Sequence, residues 1–244
     1  MIDTIKTKSA FTLAEVLITL VVIGVVAALT IPTLIAKYQK EQTVAQLKQV
    51  FSQLSQAVRL SVTKYGDVST WDFSSSAYDF FNRYLKNNFV KAQEITVNSD
   101  EISYQKSSGG LENDTSESGL LAIRNGAKAL VLNSGAIIYS GSQVSPFSNI
   151  RKRCFVVDLN GLKKPNKFGR DAFFLCVDGE SGNVVPHMSN DSEPAVVERT
   201  REQLKNGGTA NGMSYHCNNT TGRGMWCAAL IIRDGWQIKD DYPW

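Results

Sequence analysis

The chain has 244 residues, 43% of them apolar and 20% charged, with 26 lysines and arginines against 23 acids for a net charge of +3. That length holds one sizeable domain or two small ones, and so small a positive excess gives no composition-level argument for a nucleic-acid or acidic-surface binder. The four cysteines, Cys154, Cys176, Cys217 and Cys227, lack the C-x-x-C spacing of a zinc knuckle or redox motif and fit two disulfides in an oxidising compartment.

Residues 1–10 are short and polar, with Lys6 and Lys8 against Asp3. From Val16 to Ala36 the chain is uncharged and mostly apolar, about the 20 residues a helix needs to span a bilayer. Glu15 stands at the front of this run. A carboxylate at membrane depth costs about 2.5–3.5 kcal/mol even on lenient insertion scales. Neither a cleaved secretory signal ending near Val26-Ala27-Ala28 nor a plain signal anchor gives it a task.

A third reading does. The stretch SAFTLAEVLITLVVIGVVAALTIPTLI resembles the N-terminus of type IV pilins and type II secretion pseudopilins. The matching residues are a basic leader ending in a small residue, then Phe11, Thr12, Leu13, Glu15, Gly24 and Pro32; Ala10 stands where the family usually has glycine. The resemblance implies a leader over residues 1–10, cut by a prepilin peptidase between Ala10 and Phe11, with N-methylation of Phe11. Residues 11–36 then form a transmembrane and filament-core helix, in which Glu15 pairs with the N-terminus of a neighbouring subunit. Gly24 and Pro32 mark a segment that loosens on packing, although a membrane helix tolerates proline without such a role. The implied partners are other pilin subunits, the bacterial inner membrane and the secretion or pilus assembly machinery. The physics agrees. A carboxylate in the first turn is favoured by the helix dipole, and pairing a buried amine with a buried carboxylate offsets much of what each costs alone.

Beyond the span, Val44, Leu47, Phe51, Leu54 and Val58 recur at spacings of three and four, predicting an amphipathic helix over 37–65. The whole is one helix from Phe11 to Val62, stopped at Tyr65-Gly66-Asp67. Residues 66–244 read as an exported head. Ser76 begins a short helix, and 106–119 are a polar Gly/Ser loop. LLAIR, KALVL, GAIIYS, CFVVDL and DAFFLCV read as strands, and Glu193-Pro194 through Lys205 as a further helix. The fold class is α+β, a long N-terminal helix (half transmembrane, half amphipathic) packed on a globular head with an antiparallel sheet. NSGAIIYS, VVDLNGLKKPNKFGRDAFFLCV and GNVVPH are similar to the sheet region of long pseudopilin-like proteins, and DGWQIKDDYPW to their C-terminal tail.

Asp158, Asn160 and Asp171 offer oxygen ligands to Ca²⁺, which some pseudopilins hold in this region. The competing reading is a turn whose Asp and Asn bond their own backbone. It is preferred because Lys163, Lys164, Lys167 and Arg170 crowd the loop and repel a cation. With Arg151, Lys152 and Arg153, those four form a candidate DNA-phosphate patch. Aromatic interleaving is thin, so a solvated face or a contact with an acidic filament neighbour is preferred. The cysteines allow three pairings, of which Cys154–Cys176 across the hairpin and Cys217–Cys227 around a small loop are preferred. His187 and His216 lack zinc-ligand spacing. Asn113, Asn190, Asn218 and Asn219 fit the glycosylation sequon. No catalytic constellation is visible, so neither an enzyme nor a cofactor is expected. The reading is a minor pilin or pseudopilin. Its rival is a signal-anchored extracytoplasmic binding domain, for DNA or a surface ligand, that does not polymerise.

Overall fold

A computed structural model describes residues 12–98, 104–109, 127–140, 152–189, 197–207, 209–210 and 213–244. The chain divides into two compact units, Met1–Gln42 and Thr43–Trp244. Helix α1 (Leu13–Tyr65) runs continuously through Pro32 and is long and apolar enough to cross a membrane. In the first unit its apolar side chains, among them Leu17, Val21, Val25, Leu29 and Leu34, are exposed. An apolar surface all round a helix suits an apolar surrounding.

In the second unit α1 becomes one-sided. Val44, Leu47, Val50, Leu54, Ala57, Val58 and Ser61 are buried. Val50 takes the core position expected of Phe51, which instead meets Trp236 edge-on at 5.5 Å. Helix α1 stops at Tyr65 because Gly66 adopts a left-handed φ of +79°, ordinary for glycine and costly elsewhere. Ser76 then caps α2 (Ala77–Phe80), its hydroxyl accepting from the Asp79 amide, and the chain continues as a π turn over Phe81–Leu85. That extra residue per turn is held to α1, since Asn88 donates to the Ser61 hydroxyl at 2.6 Å and to the Ala57 carbonyl at 3.2 Å.

The head sheet is a six-stranded antiparallel meander in sequential order. Its strands are β1 (Gln93–Val97), β2 (Ala127–Val131), β3 (Ile137–Tyr139), β4 (Lys152–Asp158), β5 (Ala172–Asp178) and β6 (Val184–Pro186). Every residue of β4 and β5 is buried, which is why their centres, CFVV and AFFLCV, read as unbroken apolar runs instead of alternating ones. Phe155, Phe173, Phe174 and Leu175 share one core with the inner face of α1, each worth roughly 1.5–3 kcal/mol of burial. After the sheet come α3 (Arg201–Asn206), a minimal hairpin of β7 (Thr209–Ala210) and β8 (Met213–Ser214), and α4 (Cys227–Arg233).

The α+β reading matches this architecture, with differences in detail. Residues 197–200 are not helical, and α3 starts only at Arg201, with Thr200 as its N-cap. There a capping box closes the start, the Thr200 hydroxyl accepting from the Gln203 amide and the Gln203 side chain from the Thr200 amide. Pro194 and the LLAIR segment lie outside the described residues. Strand β1 and helix α4 were not expected from the pattern. QEITV is largely solvent-facing at the sheet edge, while CAALIIR is buried almost all round and so carries no helical period.

Candidate functional site

Ala10 and Phe11 lie outside the described residues, so the N-terminal site is seen from Thr12 onward. Thr12 and Glu15 form a reciprocal cap. The Thr12 amide and hydroxyl each donate to Glu15 Oε2 at 2.8 Å, and the Glu15 amide donates to Thr12 Oγ1 at 3.2 Å. This is the T-x-x-E capping box, legible in the letters T-L-A-E but overlooked when Glu15 is considered only as a charge. Glu15 therefore has a local task before any neighbour is considered: it satisfies a helix-start amide. Gly24 has open space around its α-carbon, and α1 passes Pro32 without a break. Thr12→Ala should cost about 1 kcal/mol at the helix start, measured as faster amide exchange at Leu13–Glu15 in detergent, while exchange from Val44 onward stays unchanged.

The second candidate region is the β4–β5 turn, residues 159–171. Asp171 organises it. Its carboxylate accepts from the Lys167 amide at 2.6 Å, the Asn166 amide at 2.8 Å and Asn160 Nδ2 at 3.1 Å. Asp158 accepts from the Tyr104 hydroxyl at 2.6 Å and the Asn160 amide at 3.1 Å. Burial, only partly opposed by the Tyr104 hydroxyl, pushes the Asp158 carboxyl up to about 8, and burial also raises Asp171. The fit to Ca²⁺ is poor. The carboxylates are committed to the chain's own donors, and no metal-holding cluster occurs among the described residues. The geometry is that of an Asx-stabilised turn.

The basic run does not form one patch. Strand β4 begins two residues earlier than CFVVDL and carries Lys152 and Arg153 into the interior. There Lys152 Nζ donates to Ser189 Oγ at 2.6 Å, and Arg153 donates to the carbonyls of Phe73 and Ser75. Arg151 lies outside the described residues. Lys163 and Lys164 are exposed, Lys167 and Arg170 half-buried, and the Arg170 guanidinium sits 5.2 Å from the Trp244 ring centre. Lys152 and Arg153 thus leave the candidate DNA surface, on which the four basic residues of the turn remain.

Two disulfides close the head, Cys154–Cys176 between directly paired residues of β4 and β5, and Cys217–Cys227 across ten residues. All four cysteines are committed, which leaves His187 and His216 without thiolate partners for zinc. His187 is buried between Phe174 and Tyr215, and burial together with Lys152 and Arg199 holds its imidazole down to about 3. His216 Nε2 meets Thr221 Oγ1 at 3.0 Å. Asn218 turns its side-chain oxygen inward to the amides of Thr220, Thr221 and Gly222; Asn219 is exposed, and Asn113 and Asn190 fall outside the described residues. The tail is anchored from both sides. Tyr242 donates to the Gly169 carbonyl at 2.6 Å. Arg201 grips Asp234 and Asp241 together, joined by Lys205 on Asp241 and Lys239 on Asp234.

A profile of a family of unknown function, DUF6613, covers residues 33–244. The chain belongs to that family. Residues 5–31 match the prokaryotic N-terminal methylation motif, so this DUF6613 chain joins a type IV pilin-like class III signal and its long helix to the disulfide-bonded head. No curated protein and no solved structure matches it.

Proposed function

We propose that this DUF6613 chain is a minor pilin or pseudopilin, made as an inner-membrane precursor and assembled into a type IV pilus-like or type II secretion filament. The observation that carries the reading is the methylation motif set directly on a helix whose apolar side chains, from Leu13 to Ile35, stand exposed among the described residues. Such a helix needs lipid before assembly and other copies of itself afterwards. Prepilin peptidase cuts between Ala10 and Phe11 and methylates Phe11. The new amine, carried by a neighbouring subunit, is the countercharge for Glu15 in the filament. Both described bonds to the Glu15 carboxylate fall on Oε2, which leaves its second oxygen for the incoming amine. Two disulfides suit a head held outside the cytoplasm. The action is mechanical or adhesive, not catalytic.

Mass spectrometry of the mature chain tests the processing step. The expected species starts at N-methylated Phe11; one starting near Leu29 or retaining Met1 overturns the reading in favour of a secreted or signal-anchored binding domain. Glu15→Val tests assembly. It should insert in the membrane as well as the parent chain or better, since a charge costing about 2.5–3.5 kcal/mol is removed, yet be absent from sheared filaments. Normal incorporation would remove the pairing role assigned to Glu15.

A further inference from the structure

We propose that the cleft between α3, the Cys217–Cys227 loop and the C-terminal tail is a saccharide site that takes one neutral pyranose unit of a glycan. The proposal goes beyond the filament reading and does not rest on it, since every residue of the cleft belongs to the head unit Thr43–Trp244. The cleft holds about 320 Å³ and is lined by Lys205 and Asn206 at the end of α3, Asn218, Asn219 and Thr220 in the loop, and residues 240–243 of the tail. That is the small end of the roughly 300–1,000 Å³ range of ligand sites. Its walls are braced before any ligand arrives. The Cys217 amide donates to the Leu204 carbonyl at 3.0 Å, which ties the loop to α3. The disulfide closes the loop, and the Tyr242 hydroxyl holds the tail on the Gly169 carbonyl. A preformed site gives up little freedom on binding.

The charges of the wall cancel. Asp241 Oδ2 accepts from Arg201 Nη1 and Lys205 Nζ, each at 2.8 Å, and Oδ1 accepts from Arg201 Nη2 at 2.7 Å. Asp240 is engaged as well. Among the described residues the cleft therefore offers no uncompensated charge to a phosphate or a metal ion. What remains is amide and hydroxyl. Asn218 Oδ1 accepts from the amides of Thr220, Thr221 and Gly222 at 3.2, 2.9 and 2.7 Å, which fixes its carboxamide and leaves Nδ2 as a donor. Asn206 Nδ2 donates to Glu202 at 2.7 Å, which leaves Oδ1 as an acceptor. Thr220 and the exposed Asn219 supply groups that do either. A fixed donor and a fixed acceptor in one cleft match the hydroxyls of a sugar ring, each of which both donates and accepts. Tyr242 and Pro243 add an apolar part for its C–H face. A purely apolar ligand would leave the amides unpaired.

The test uses the full chain, isotope-labelled, in a detergent without a sugar headgroup. Nuclear magnetic resonance follows the side-chain amides of Asn206, Asn218 and Asn219 while methyl glycosides of the common neutral hexoses and N-acetylhexosamines are added to millimolar levels. The expected result is saturable shifts of these resonances with at least one glycoside, and a Kd that salt does not change, since the ligand is uncharged. Asn218→Asp should weaken that Kd by about tenfold. It keeps the Oδ1 cap on the three amides and removes only the donor, and the melting temperature checks that the loop is intact. Where that temperature falls, Asn219→Ala decides, because its side chain is exposed; it too should weaken binding. No shift with any glycoside by a folded chain overturns the proposal. So does binding unchanged in both variants, which places the sugar elsewhere. Shifts given by inorganic phosphate alone, and abolished by salt, overturn it in favour of an anion site. None of these outcomes bears on processing or assembly, so the filament reading stands or falls separately.

Discussion

Gly222→Ala should destabilise the head by about 2–4 kcal/mol, a fall in melting temperature of roughly 5–15 °C for a domain of this size. A β-carbon at this position would lie 2.4 Å from the His216 carbonyl oxygen, 2.7 Å from the Asn218 nitrogen and 2.9 Å from the Asn218 oxygen. All three are backbone atoms in the loop closed by Cys217–Cys227 or directly before it, so no side chain can swing away to make room. The same glycine is bonded on both sides. Its amide donates to Asn218 Oδ1 at 2.7 Å, and its carbonyl accepts from the Ser108 amide at 3.1 Å and from Ser107 Oγ at 2.9 Å. Moving it therefore detaches the 104–109 segment as well as the loop. Gly235→Ala is the matched control. It strains its backbone, at φ +75°, but meets nothing within 4 Å, and should cost only about 1 kcal/mol. Thermal unfolding of the oxidised chain in detergent separates the two, and a Gly222→Ala loss no larger than that of Gly235→Ala would show that the loop absorbs the collision.

Asp158→Asn should change the pH profile of stability more than its midpoint at any one pH. In the head the Asp158 carboxyl titrates near 8 against an ordinary 3.8, because burial and the nearby Asp171 penalise the charged form more than the Tyr104 hydroxyl and the backbone amides favour it. The folded state thus binds a proton that the unfolded chain releases. Its contribution is fully present below about pH 4 and is lost as pH rises through about 8. The full span corresponds to on the order of 5 kcal/mol. Asparagine copies the neutral acid, with Oδ1 accepting from the Asn160 amide and Nδ2 donating to the Tyr104 oxygen. The variant should therefore remove the alkaline decline. His187 acts in the opposite sense. Its imidazole is held down to about 3, so its contribution is present above pH 6.5 and lost as pH falls towards 3. Urea unfolding across pH 4–9 should show the parent chain near level up to about pH 6.5, where the two slopes oppose, then falling to about pH 8, whereas Asp158→Asn rises to about pH 6.5 and stays level above it. A variant that still declines at alkaline pH would mean that another group carries the titration.

The sequence by itself determined those features whose cause is local. An uncharged run of membrane length, an apolar stripe of period three to four, a T-x-x-E cap and a glycine stop are each written within a turn or two of helix, and together they specify α1. The continuous apolar runs of β4 and β5 are legible for a related reason, since a strand covered on both faces has no polar face to interrupt it. What only the tertiary structure decided depends on residues far apart in the chain. Four cysteines admit three pairings, and the β4–β5 register sets Cys154 opposite Cys176. Lys152 and Arg153 look like members of a basic surface until the strand carries them inward to Ser189 and to the carbonyls of Phe73 and Ser75. Asp158 reads as a cation ligand until Tyr104, 54 residues earlier, spends its oxygen. Periodicity records which face of an element is dry. It carries no record of the distant partner on the other side, and that partner decides whether a charge is a ligand, a surface or a buried hydrogen bond.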